Sequence, residues 1–162
     1  MATALALASR IASLAAPARS ASEVTTTLPL GASAAYEVFC DAAEIPRWLP
    51  ILQSARVLMR DDAGRAARVA FMRRLERGSL GYTLTYRYDQ ERLTVGWSTL
   101  PSSNVRLTGE AQFVPLSPRA CMMLYRIDLD LPIVDELLHG ELDRHPASFA
   151  VAEFREHVRR LC

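Results

Sequence analysis

The stretch from residue 80 to residue 113 leaves this chain little freedom in how it folds. It opens Leu80-Gly81-Tyr82-Thr83-Leu84-Thr85-Tyr86-Arg87-Tyr88. Tyr82, Leu84, Tyr86 and Tyr88 share one parity; Gly81, Thr83, Thr85 and Arg87 share the other. Side chains on a strand alternate between faces, so this period of two predicts a strand with one apolar, aromatic face. Asp89-Gln90-Glu91 supplies a polar turn, after which Leu93, Val95 and Trp97 repeat the alternation. Pro101-Ser102-Ser103-Asn104 turns the chain again, into Val105, Leu107, Gly109, Ala111 and Phe113. Successive strands with such inner faces predict a curved sheet whose concave side has to be covered.

The flanking chain obeys the same logic. Residues 23–30 place Val24, Thr26, Leu28 and Leu30 on one side, a first strand ended by Pro29 and Gly31. Ser33 is expected to cap a helix through Phe39, with Tyr36, Phe39 and Cys40 inward. Asp41 is expected to cap a second short helix with Pro46 near its start and Trp48, Leu49, Ile51 and Leu52 on its apolar side. Ala55, Val57 and Met59 alternate in a second strand, Asp61-Asp62-Ala63-Gly64 makes a hairpin turn, and residues 65–75 form a third. Cys121, Met123, Tyr125, Ile127 and Leu129 give the last strand its inner face. Pro132 ends the sheet, and residues 133–143 read as a short helix or an ordered loop. Pro146 opens a final helix over 147–161, with Ala150, Phe154, Val158 and Leu161 on one face and Arg159 and Arg160 at the negative end of its dipole. The order of strand, two short helices, six strands and helix predicts one α+β domain over 23–162, a seven-stranded sheet against a C-terminal helix. Residues 1–22 are rich in Ala and Ser, carry Arg10 and Arg19 and hold no acid. They are read as a flexible leader outside the domain, although a transit-like segment has the same composition.

Composition excludes several chemistries. Every basic residue is arginine and there is no lysine, which removes a Schiff-base lysine and a phosphate-loop lysine. A net charge of +1 gives no electrostatic case for nucleic acid. No apolar run reaches the roughly 18 residues of a bilayer-crossing helix, and peripheral membrane contact stays open. Cys40, Cys121 and Cys162 are far apart and odd in number, with no metal-type or redox-type pair among them. They point to a reducing cytoplasm, with Cys40 and Cys121 as small buried hydrophobes. His139, His145 and His157 lack metal-ligand spacing, so neither a metal nor a cofactor is expected. An acid–base role for His139 or His145 at the mouth of a pocket is the reserve reading.

Several segments match a known pattern. Ala35-Tyr36-Glu37-Val38-Phe39 followed by Ile45-Pro46-Arg47-Trp48-Leu49-Pro50 is one, Val95-Gly96-Trp97-Ser98 a second, and Gly109-Glu110-Ala111-Gln112-Phe113-Val114-Pro115-Leu116 a third. With the element order, they make residues 23–162 resemble the START-like helix-grip superfamily, and within it the polyketide cyclase/dehydrase-type (SRPBCC) group. The segment 132–145 departs from that pattern. The resemblance implies a curved, antiparallel seven-stranded sheet wrapped around the long C-terminal helix, with a hydrophobic tunnel between them. It also implies ligands such as lipids, sterols, quinones or polyketides, with cyclisation or dehydration in some members. The matching motifs are structural and assign no catalytic residue.

Candidate cavity-lining residues follow from parity: Phe71, Arg73, Tyr82, Leu84, Tyr86, Trp97, Leu107 and Tyr125 from the sheet, and Phe154 from the final helix. Tyr88 has the same inward parity. Aromatic rings with polar tips suit a pocket that grips an apolar body and fixes one end of it. Arg73 and Arg74 must face opposite sides of their strand, and the parity of Val69 and Phe71 sends Arg73 inward. Because buried arginine is rare, the expectation adopted is that the strand frays and both reach water. Glu110 and Arg126 have outward parity and are expected to be solvated or paired across strands. No Gly-x-Ser-x-Gly elbow or glycine-rich phosphate loop is present. The leading expectation is a domain whose partner is a small hydrophobic molecule, a lipid, quinone or polyketide-like compound. The alternatives are a cyclase or dehydratase using a cavity Tyr or Arg, and a partner-binding module without a ligand.

Overall fold

The computed structural model describes residues 18–131 and 145–162. Seven strands form one antiparallel sheet: β1 Ala18–Leu28, β2 Leu52–Arg60, β3 Ala66–Arg74, β4 Ser79–Asp89, β5 Thr94–Thr99, β6 Arg106–Ser117 and β7 Ala120–Leu131. Their order across the sheet is β1-β7-β6-β5-β4-β3-β2, so sequence neighbours are spatial neighbours from β2 to β7. The strand β1 begins before residue 23, because residues 18–22 pair with 131–127 of β7. An Ala/Ser stretch carries no alternation signal, and here the backbone ladder to β7 sets the start instead. Residues 1–17 of the expected leader lie outside the described residues, as does the expected helix or loop over 133–143.

Register sorts the side chains into rows. On the concave face one row runs Tyr86, Trp97, Gly109, Ile127 and Ser22 across β4, β5, β6, β7 and β1. On the convex face the neighbouring row runs Arg87, Gly96, Glu110, Arg126 and Glu23. The Glu110–Arg126 pair closes at 3.6 Å, as its outward parity predicted. Both partners are half or more exposed, so the pair fixes register more than it adds stability.

Between β1 and β2 the chain makes α1 (Ala32–Cys40), a 3₁₀ turn (Ala42–Glu44) and α2 (Ile45–Trp48). The cap of α1 is Gly31 rather than Ser33, with no side-chain cap bond. A Cβ on Gly31 would stand 2.6 Å from the Pro118 carbonyl oxygen, so the close passage of the β6–β7 turn selects glycine there and moves the helix start. Asp41 contributes only its backbone carbonyl, which accepts from the Glu44 N–H at 3.0 Å. Phe39 is the hub of α1. Its ring packs 5.1 Å from Phe154, 5.6 Å from Phe113 and 5.7 Å from Trp48, joining both short helices to the sheet and to the final helix.

That final helix, α3 (Pro146–Leu161), buries Ala147, Ala150, Val151, Phe154 and Val158. Leu161, expected on the same face, is 55 % exposed because the last turn runs past the core. The helix is tied to the first strand region at both ends. His145 holds the N-cap position, but the cap bond comes from β1, where Ser22 Oγ accepts from the Ala147 N–H at 3.1 Å. At the far end Cys162 Sγ donates to the Pro29 carbonyl at 3.0 Å. Cys40 and Cys121 are buried, as expected. Among the described residues no helix is long and apolar enough to cross a membrane.

A cationic clamp absent from the sequence reading holds α1 to the sheet. The Arg65 guanidinium lies 5.3 Å from the ring centres of both Tyr36 and Tyr88 and pairs with Glu37 at 2.7 Å. Its side chain is only 18 % exposed, so the two ring contacts are shielded from water. Arg65→Met is expected to cost about 1–2 kcal/mol in urea unfolding, and Arg65→Lys to recover less than half of it, since a compact ammonium cannot stack on two rings. Equal stability of Lys and Arg variants would refute the clamp.

Candidate functional site

Where the sheet curves away from the start of α3, a cavity of about 100 Å³ remains. The sheet wall comprises Phe71, Arg73, Tyr82, Leu84, Tyr86 and Trp97, continued by Leu107, Tyr125, Ile127 and Leu129. The opposite wall is built from Phe39, Ile45, Trp48, Leu49, Ile51 and Leu52 of the α1–β2 segment. Pro146, Phe149 and Ala150, in the first turns of α3, complete it. Ser22 therefore holds one edge of the cavity in place through its bond to Ala147.

Eight of the sheet positions picked by parity border this space, and two inward aromatics do not. Phe154 does not border it; it is fully buried, with its ring 5.0 Å from Trp48 and 5.1 Å from Phe39. Its helical face was read correctly, but it lies where helix and sheet are in contact. Tyr88 is turned to a structural use, its hydroxyl donating to the Ala66 carbonyl at 2.7 Å. Arg73 reverses the adopted expectation: it is 5 % exposed and forms part of the cavity wall, while Arg74 is exposed. The strand does not fray there, because β3 stays paired through Arg73↔Leu80 and Arg74↔Ser79. Strand parity thus outweighs the rarity of buried arginine. His145 is exposed at the helix start and does not border the cavity, and His139 lies outside the described residues.

The wall formed by residues 45–52 was not anticipated as part of a site. Its signal was present: Ile45, Trp48, Leu49, Ile51 and Leu52 are too apolar for a connection that only spans the surface. Trp48 Nε1 is buried with no acceptor among the described residues.

Electrostatics follow from the apolar surroundings. Burial pushes the Tyr82 phenol up to about 12, with the nearby Arg73 opposing the shift. Burial raises Tyr86 and Tyr125 further, and neighbouring phenols add to both shifts. Burial lowers the Arg73 guanidinium, and Tyr82 partly offsets this. At neutral pH the phenols are therefore un-ionised and present hydroxyl donors. The described lining contains no carboxylate or imidazole. Such a site can hold an apolar body and donate hydrogen bonds to an oxygen acceptor; it offers no general base among these residues.

No family model matches the chain. No curated protein matches it either. Solved structures do. A START superfamily protein from Mycobacterium smegmatis superposes with a TM-score of 0.73 at 16% identity, over 88% of this chain and 99% of that one. An aromatase/cyclase from Streptomyces sp. R1128 gives 0.68 at 16% identity, over 88% and 94%. Norcoclaurine synthase from Thalictrum flavum, as a point mutant with a transition-state analogue, gives 0.60 at 12% identity, over 90% and 98%. At these identities the shared property is the fold.

The buried phenols make alkaline stability a test of the site. A folded-state pKa above the ordinary tyrosine value of 10.0 means the fold favours the neutral phenol. That contribution is complete below pH 10 and is lost as pH rises through the folded value of about 12 for Tyr82. Urea midpoints should hold steady up to about pH 10 and fall above it, with phenolate absorbance at 295 nm appearing together with unfolding. Tyr82→Phe should flatten the decline. Complete phenolate formation near pH 10 with the fold intact would show the site open to bulk water.

Proposed function

We propose that this START-like helix-grip domain binds a small apolar molecule carrying an oxygen acceptor in the space between its sheet and its C-terminal helix. The carrying observation is the composition of the wall: aromatic and aliphatic side chains, with the phenols of Tyr82, Tyr86 and Tyr125 and the guanidinium of Arg73 as polar groups. All of these can donate a hydrogen bond to a carbonyl, and none is a carboxylate that would hold an amine. Carbonyl-bearing lipids, quinones and polyketide-like compounds have this chemistry. The volume of about 100 Å³ is below the roughly 150 Å³ that accepts benzene in an engineered apolar cavity. Even a single-ring guest therefore requires α3 or the 45–52 wall to give way.

A second reading, catalysis of ring closure or dehydration, is supported by the proximity of Arg73 to Tyr82. A cation and a phenol on one wall can polarise a carbonyl and stabilise an enolate. Among the described lining residues nothing would remove the proton, so this reading needs a base from the substrate, from solvent or from elsewhere in the chain.

The test uses two isosteric probes, acetophenone and ethylbenzene, which differ by one carbonyl oxygen. Both should perturb the fluorescence of Trp48 and Trp97, and acetophenone should bind about fivefold more tightly, the net worth of one hydrogen bond. The preference should shrink in the Tyr82→Phe/Tyr86→Phe/Tyr125→Phe variant, which retains only Arg73 of these donors. Failure of both probes to bind contradicts the ligand reading; equal binding contradicts the acceptor preference.

A further inference from the structure

Gly109 has no backbone reason to be glycine. It lies inside β6, does not take a positive φ, and shares its face with Leu107 and Ala111, which carry ordinary side chains. Glycine within a strand loses packing and costs more chain entropy than alanine. Its reason lies across the ladder. Gly109 is the register partner of Trp97, and a Cβ at this position would stand 2.3 Å from Cε2 and Cζ2 of the indole and 2.5 Å from Nε1. The indole therefore lies flat on bare β6 backbone. Its other neighbours are Tyr125 at 5.5 Å, Phe39 at 5.8 Å and Tyr86 at 6.5 Å between ring centres, and all three border the cavity. With β6 backbone behind it and cavity-bordering rings around it, Trp97 itself faces the open space.

We propose that the Gly109–Trp97 contact determines ligand size: the missing Cβ seats the indole in the sheet and so sets the depth of the cavity. The inference rests on the ligand reading above. Any side chain at 109 moves the indole into the guest's space, and a smaller ring at 97 enlarges it. The contact acts on volume and leaves the phenols and Arg73 in place, so it should alter which sizes bind and leave the preference for a carbonyl unchanged.

The test is a series of aryl methyl ketones with one, two and three fused rings: acetophenone, 2-acetonaphthone and 2-acetylanthracene. Binding is followed by ligand-observed NMR to wild type, Gly109→Ala, Trp97→Phe and the double variant. Gly109→Ala should weaken the largest ketone that wild type accepts by about tenfold more than it weakens the next smaller one or, if only acetophenone binds, more than it weakens benzaldehyde. Trp97→Phe should raise the size limit, and the double variant should return towards wild type. Unchanged size selectivity in Gly109→Ala, or equal loss across the series with the melting temperature retained, overturns the proposal. Should Gly109→Ala not fold, Trp97→Phe decides: an unaltered size limit overturns it. If wild type binds no ketone at all, it is the ligand reading that has failed.

Discussion

One helix cannot cover seven strands. Strands lie about 4.8 Å apart, so the sheet is roughly 29 Å wide, while a helix with its side chains is about 10 Å across. The concave face is nonetheless largely apolar, from Val69 and Phe71 on β3 to Leu28 on β1. That face has to be removed from water, and the chain does so in three ways. The sheet curves, α3 lies along the β1–β7 side, and the α1–α2 segment folds beneath the rest. The three coverings meet at Phe39, whose ring touches an aromatic of each. Where they meet, the interior is full; where α3 begins, they diverge and the cavity remains.

The two ends of the molecule thus serve different purposes. At the packed end Phe113, Phe154, Tyr36 and Met123 are almost entirely buried, and the Arg65 clamp locks α1 in place. At the other end Tyr86, Tyr125 and Arg73 are buried and Tyr82 partly so, at a real desolvation cost that raises the tyrosine pKa values and lowers the arginine one. A core selected for stability alone would use phenylalanine and leucine at these places. The helix that closes the site is anchored to β1 by Ser22 and to the following turn by Cys162, so its position over the cavity is set by the strand farthest from Arg73 on this face.

Much of this was legible in the residues, for a simple reason: a half-buried strand writes its face into every second position. Parity put Tyr82, Tyr86, Trp97, Leu107 and Tyr125 on the face that borders the cavity, and Arg73 with them, where a general rule about arginine burial misled. Parity reports a face and not a depth, so it could not separate Phe154, in the packed interior, from Phe71, on the cavity wall. The wall over residues 45–52 was harder because its one helix, α2, is a single turn with Pro46 inside it and Pro50 after it, leaving apolar composition without a period. The start of β1 was hidden for the opposite reason, since Ala and Ser pair by backbone alone. Gly109 carried a readable sign, an isolated glycine within an alternating strand, which marks a close approach; only the register revealed that Trp97 makes that approach.

The account depends on the interior being unfilled near Trp97, and xenon examines this most directly, since it enters dry apolar cavities without needing any particular chemistry. A crystal pressurised with xenon should show density bounded by Phe71, Tyr86, Trp97 and Leu107. An interior closed by side chains, with xenon absent from that position, would contradict it.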